Sequence, residues 1–184
     1  MLNDEPNLVA AARRGDVASF EALIRPYQPK IFRLILALAE NRDDAEDALQ
    51  ETLLHAFRAL PRFRGDASFG TWLHRVALNT TRNWMRTQVR ASSTRMAERL
   101  VHVGASASAP VDDELLAGER RRLVRRALLR LPEHYQNALL LRHYRDMSYE
   151  EIAQVLDVPV GTVRSRLAQG RRLLLRELQA LGFT

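Results

Sequence analysis

Apolar residues recur along this chain three or four positions apart, and the N-terminal half shows none of the period-two alternation of a half-buried strand. Leu8, Val9 and Ala12 mark a short helix over residues 6–14. Gly15-Asp16 ends it and caps the next, where Val17, Phe20, Leu23, Ile24 and Tyr27 keep helical spacing. Pro26 and Pro29 interrupt, and Ile31, Phe32, Ile35, Leu36 and Leu38 resume as a strongly apolar helix; all of these are expected core. Over residues 41–60, Asp43 and Glu46 have capping-box spacing, and Ala45, Leu49, Leu53, Ala56, Phe57 and Leu60 make a buried face. Arg64, Gly65, Asp66, Ala67 and Ser68 have loop composition. A helix starts at Phe69 with Phe69, Trp72, Leu73, Val76 and Thr80 inward.

The pattern lapses over residues 89–113, which are rich in Ala and Ser and include Gly104 and Pro110; this is a linker, helical at most over residues 94–101. It resumes with Leu116, Leu123, Val124, Ala127, Leu128 and Leu131 on a helix ending before Pro132, the expected first residue of the next helix. That helix carries Ala138, Leu139, Leu141 and Tyr144 inward. The most informative stretch is residues 148–175. Ser148 and Glu151 form a capping box, and Ile152, Ala153 and Leu156 give a short apolar face. Asp157-Val158-Pro159 breaks the helix. A second helix starts at Gly161-Thr162 with Thr162 as cap, and Val163, Leu167, Gly170 and Leu174 fall on one inward stripe. Arg164, Ser165, Ala168, Gln169 and Arg172 face outward. A short capped helix, a tight turn and a longer basic helix describe a helix-turn-helix able to enter a major groove; the plain alternative is a helical hairpin with a solvated basic face.

Composition narrows the function. A formal net charge of +6 over 184 residues favours a polyanionic partner. Nearly all the cations are arginine, Lys30 being the one lysine, but a GC-rich genome enriches arginine everywhere, so this carries no functional weight. The absence of cysteine excludes disulfides, thiolate metal sites and a Cys nucleophile. The five histidines show no ligand spacing, and no Gly-rich phosphate loop or nucleophile elbow is present, so neither an enzyme nor a metal or cofactor site is expected. The acidic, polar N-terminus is unlike a signal peptide and no apolar run could span a bilayer, which predicts a cytoplasmic chain.

Four stretches carry a family resemblance. VPVGTVRSRL closely resembles the promoter-reading helix of bacterial sigma factors, the sigma-70 family and within it the extracytoplasmic-function (ECF) group. LPEHYQNALLLRHYRDMSYEEIAQVL matches that family's C-terminal domain almost continuously. DDAEDALQET is similar to the segment that docks on the clamp helices of the polymerase β′ subunit, which implies Asp44, Glu46, Asp47, Gln50 and Glu51 as core-polymerase contacts. Unaided, the same face reads as solvated acids suited to a helix N-terminus. Residues 63–86 resemble the region that melts and reads the −10 element. There the loop Arg64, Gly65, Asp66, Ala67 and Ser68 would pocket a flipped base and the helix would hold the backbone. Arg75, Asn79, Arg82, Asn83 and Arg86 form one stripe of that helix, arginines alternating with amides as phosphate and base-edge contacts require. Trp72 and Trp84 could stack on bases, though a helical aromatic is more often core.

The resemblance implies an all-α fold of two small helical domains joined by a flexible linker: residues 1–88 for polymerase docking and the −10 element, 89–112 as linker, and 113–184 with the helix-turn-helix for the −35 element. Thr162, Arg164, Ser165, Arg166, Gln169 and Arg172 become the −35 contacts, with Arg164 facing the groove and Arg166 nearer the flank. Where many members carry an aromatic or basic pair, this chain has Ala168-Gln169, so its promoter preference should be its own. Implied partners are core RNA polymerase (β′ clamp helices and β flap), promoter DNA and an anti-sigma factor answering a stress or envelope signal, with the free chain a monomer or 1:1 with its regulator. A response-regulator effector domain would share the helix-turn-helix but needs a receiver of alternating strands and helices. A repressor or activator acting without polymerase, and an interaction protein on a sigma-like scaffold, are the remaining alternatives.

Overall fold

The computed structural model describes residues 4–39, 41–99, 113–145 and 147–183, with side chains throughout except at 86, 88–99, 113–117, 144 and 145. Among the described residues there are nine α-helices and no strands. The first half holds α1 (Glu5–Arg13), α2 (Val17–Ile24), α3 (Gln28–Leu36), α4 (Arg42–Ala59) and α5 (Phe69–Arg99). The second half holds α6 (Asp113–Arg130), α7 (Glu133–Arg145), α8 (Tyr149–Leu156) and α9 (Val160–Ala180).

Punctuation follows the local chemistry. Gly15 takes a positive φ of 95° to end α1, and the Asp16 carboxylate accepts from the Ala18 N–H to start α2. Pro29 sits in the first turn of α3, where a missing N–H costs nothing. The cap of α4 is not Asp43, as spacing suggested, but Asn41: its side-chain oxygen accepts from the Asp44 N–H at 2.8 Å. Glu46, the other half of the expected box, instead pairs with Arg42 at 2.8 Å. Pro132 precedes α7 instead of opening it, and its carbonyl accepts from Tyr135 and Gln136. Helix α5 continues to Arg99, well past the change of composition at Val89; residues 100–112 lie outside the described residues.

Two apolar clusters result. The first joins α1 to α5 around Phe20, Ile31, Ile35, Leu60, Phe69 and Leu73. Ala45, Ala48, Thr52 and Ala56 form the buried line of α4, small enough for α3 and α5 to approach closely; Leu49, Leu53 and Phe57 are only half-buried. Val17 and Leu36, expected in the core, are exposed. The second cluster centres on Leu139, Leu140, Leu141, Ile152, Val163 and Leu167, and it also takes in Leu34, Leu38 and Leu78 from the first half. Helix α3 therefore has two buried edges, Ile31 and Ile35 on one core and Leu34 on the other, where Leu38 joins it from just past the helix end. The side chain of Tyr144, expected to point inward, is outside the described residues.

Candidate functional site

Three exposed faces carry the charged residues singled out by the sequence. On α4 the alanine-rich buried line turns Glu46, Asp47, Gln50 and Glu51 to solvent. Asp44 is half-buried and engaged with Asn41. Glu51 lies 3.5 Å from His55. The acids cluster at the N-terminal end, where the helix dipole favours them.

The loop before α5 is braced from below by an aromatic cluster. Phe63, Phe69 and Trp72 lie with ring centroids 5.3–6.3 Å apart, and Tyr27 meets Phe69 edge-on at 5.6 Å. Trp72 is thus half-buried in this cluster. Above it Arg64, Gly65, Asp66 and Ser68 are exposed and Ala67 half-buried. Gly65 supplies a positive φ of 82°, and Arg64 pairs with Asp66 at 2.8 Å. The Ser68 hydroxyl accepts from the Thr71 N–H at 3.1 Å, closing the first turn of α5. Farther along, Asn79 and Asn83 face solvent, while Arg75 and Arg82 reach across to α8 and α7. The Arg86 side chain lies outside the described residues.

The helix-turn-helix is built as its sequence predicts at one end and differently at the other. Ser148 and Glu151 complete a reciprocal capping box, with bonds of 2.7 and 3.1 Å. Asp157 takes the left-handed conformation (φ 53°) that ends α8. Helix α9 then starts at Val160, with Pro159 preceding it. Thr162 is consequently inside the first turn and does not cap it, because proline already fixes the entry and its carbonyl accepts from the Thr162 N–H at 2.9 Å. Val163, Leu167 and Gly170 are buried as expected. A Cβ at Gly170 would sit 3.2 Å from Leu139 and 3.3 Å from Tyr135, so glycine is what lets α9 press against α7. With that stripe inward, Arg164, Ser165, Ala168 and Arg172 are exposed, Arg166, Gln169 and Thr162 half-exposed. The Ser165 hydroxyl donates back to the Thr162 carbonyl at 2.9 Å, leaving its oxygen free to accept.

Among the described residues no cluster of His, Asp or Glu could hold a metal ion, and no helix is long and apolar enough to cross a membrane. The roles of Arg75, Arg82 and Arg125 between the two halves had no counterpart in the sequence reading: spacing places them on a face without saying what lies opposite.

Comparison with known proteins finds one family model in each half of the chain. Residues 23–91 match the family model for sigma-70 region 2, and residues 121–174 match that for sigma-70 region 4. The chain is 36% identical to the RNA polymerase sigma-H factor of Pseudomonas aeruginosa over 98% of both chains. It is 35% identical to the ECF RNA polymerase sigma-E factor of Haemophilus influenzae over 95% of both. The sigma-E factor of Escherichia coli is 37% identical, with 95% of this chain and 94% of that one covered. Among solved structures, CnrH in complex with the cytosolic domain of CnrY superposes with a TM-score of 0.68 at 23% identity, covering 97% of this chain and 99% of that one. RpoE in complex with the anti-sigma factor NepR from Bartonella quintana gives a TM-score of 0.59 at 23% identity, covering 89% and 98%. At that identity the likeness is one of fold.

Proposed function

Because the chain belongs to the sigma-70 family, and within it to the ECF group, we propose a division of labour among its three exposed faces. As a sigma factor it binds core RNA polymerase and directs promoter-specific initiation; it is not an enzyme, and nucleotide joining belongs to the polymerase. The α4 face (Asp44, Glu46, Asp47, Gln50 and Glu51) docks on the basic β′ clamp helices. The loop of residues 64–68 captures an unstacked −10 base, with Trp72, Arg75, Asn79, Arg82 and Arg86 along the strand. Helix α9 enters the major groove of the −35 element through Thr162, Arg164, Ser165, Arg166, Gln169 and Arg172, and the β flap receives the second domain. Residues 1–88 and 113–184 are the two functional domains, joined by 89–112.

The observation that carries this reading is the pairing of opposite faces: an acidic α4 surface and an arginine-lined α9 surface, each exposed because small or apolar residues hold its other side. An acidic patch on a chain of net charge +6 suits a basic protein partner, while the α9 face suits DNA. Control by an anti-sigma factor in the cytoplasm belongs to the same proposal, since RpoE, which shares the fold, was solved bound to one. Abortive-initiation assays with purified core polymerase test it. Product should form only when the chain is present. No product with a competent cognate core, alongside tight duplex binding by a dimer of the free chain, would make it a regulator acting without polymerase.

A further inference from the structure

The densest positive charge in the chain lies outside the three faces assigned above. Residues 118–130, on α6, hold six arginines against the single acid Glu119, a net +5 in a chain whose total is +6. Two of the six are engaged within the fold: Arg125 donates to the Leu38 carbonyl at 2.6 Å, and Arg130 pairs with Glu177 at 3.2 Å. Arg120, Arg121, Arg122 and Arg126 are exposed. No acid among the described residues pairs with them. Arg122 and Arg126 stand four apart, as do Arg121 and Arg125, so like charges face one another along the helix and weaken it. Residues 120, 121 and 122 are about 100° apart around the axis, so the charge wraps this part of α6 instead of following one edge. Leu129, exposed by 40%, continues the stripe of Arg122 and Arg126.

This surface cannot share the duplex taken by α9. Val163, Gly170 and Glu177 recur at spacings of seven and so lie on one side of α9, the first two buried. Arg130 of α6 meets Glu177 on that side, and Ala127, Leu128 and Leu131 pack close by, the last two in one core with Val163 and Leu167. Helix α6 is therefore behind α9, with the core between its outer arginines and the exposed Arg164, Ser165 and Arg172. We propose that the arginine-wrapped part of α6 is a second nucleic-acid site, which holds the backbone of single-stranded RNA, the product of the complex whose promoter duplex α9 holds. Guanidinium groups grip phosphates without reading bases. A flexible backbone can follow cations around a helix, whereas a duplex or an acidic partner helix meets one edge and leaves the rest of the charge unmatched. Leu129 offers unpaired bases an apolar surface that a duplex, with its bases stacked inside, does not use. The separation of the two sites rests on the −35 reading of α9 made above; the α6 site itself does not.

The test is fluorescence anisotropy of labelled oligouridine with the full chain, over a range of salt. Arg122→Gln with Arg126→Gln, both on the exposed stripe, should weaken binding severalfold and lower the slope of log affinity against log salt by about 1.4, the value for two phosphate contacts to a single strand. The melting temperature should stay within a few degrees, which separates lost contacts from lost fold. Arg164→Ala with Arg172→Ala should leave oligouridine binding as it was, and a saturating duplex carrying the selected −35 block should not displace the RNA. Unchanged oligouridine binding by the α6 variant, displacement by the duplex, or equal binding of a random duplex through the same arginines would overturn the proposal. Oligoglutamate held tightly where oligouridine is not would make the patch a dock for an acidic protein instead. In the initiating complex, 4-thiouridine in the transcript should crosslink to α6; crosslinks from 4-thiothymidine in the melted DNA alone would rule out the transcript as occupant. Selection of the upstream block by the α6 variant in holoenzyme reads the α9 assignment separately: it should be intact, and its absence from the unmodified chain too would remove the −35 reading while the anisotropy result still decides the α6 site.

Discussion

Arg164 shows what a single side chain can decide. It projects from the exposed face of α9 while Val163 beside it is buried, so Arg164→Ala removes a contact without disturbing the core. The expected result is a loss of about 1–3 kcal/mol at a matched promoter, with discrimination relaxed at one position. Equal loss at matched and mismatched promoters would contradict base reading. Gly70→Ala acts by sterics alone: a Cβ would meet the Tyr27 ring at 2.7 Å. That ring is held edge-on to Phe69 and by a 2.9 Å bond to Glu5, so overpacking should cost about 1–3 kcal/mol in urea unfolding. Asp16 offers a pH readout. The Ser19 hydroxyl, first, and the α2 backbone N–H groups hold its carboxyl below the ordinary 3.8. A depressed value means the cap stabilises α2 above the unfolded-chain pKa and is lost as pH falls through the lower folded one. An NMR titration should find the midpoint below 3.8, and Ser19→Ala should raise it. Caps were legible where side chain and turn agreed, at Asp16 and Ser148. They were misread where a better acceptor stood two residues earlier (Asn41 before Asp43) or where proline pre-empted the cap (Pro159 before Thr162).

Helix α4 separates a buried face of small residues from an acidic exposed one. Its alanines and Thr52 pack inward while Asp47 and Glu51 stay in solvent. Asp47→Ala with Glu51→Ala should therefore weaken core-polymerase binding severalfold and leave the melting temperature within a few degrees, since exposed charges contribute little to stability. Loss of fold instead of affinity would show the acids to be structural. Helical period made nearly every element readable, because each helix must bury one face and expose the other. It misjudged individual positions, such as exposed Val17 and Leu36 and the buried Leu34, since a helix with two buried edges has no single apolar stripe. The extension of α5 to Arg99 escaped because composition, and not periodicity, marked the change at Val89.

The helices of the two halves were legible, but the packing of the halves against one another was not. One sequence shows which faces are apolar or basic; it does not show that Leu34, Leu38 and Leu78 join the second core, or that Arg75 and Arg82 meet α8 and α7. Those contacts join elements far apart in the chain and leave no local spacing to read. The most direct measurement is run-off transcription by purified core polymerase with this chain, on a template pool randomised at both promoter elements. The account predicts initiation that requires the chain and selects two separate sequence blocks. Arg164→Ala should relax only the upstream block and Arg82→Ala only the downstream one. Initiation that selects a single block, or that proceeds equally without the chain, would contradict it.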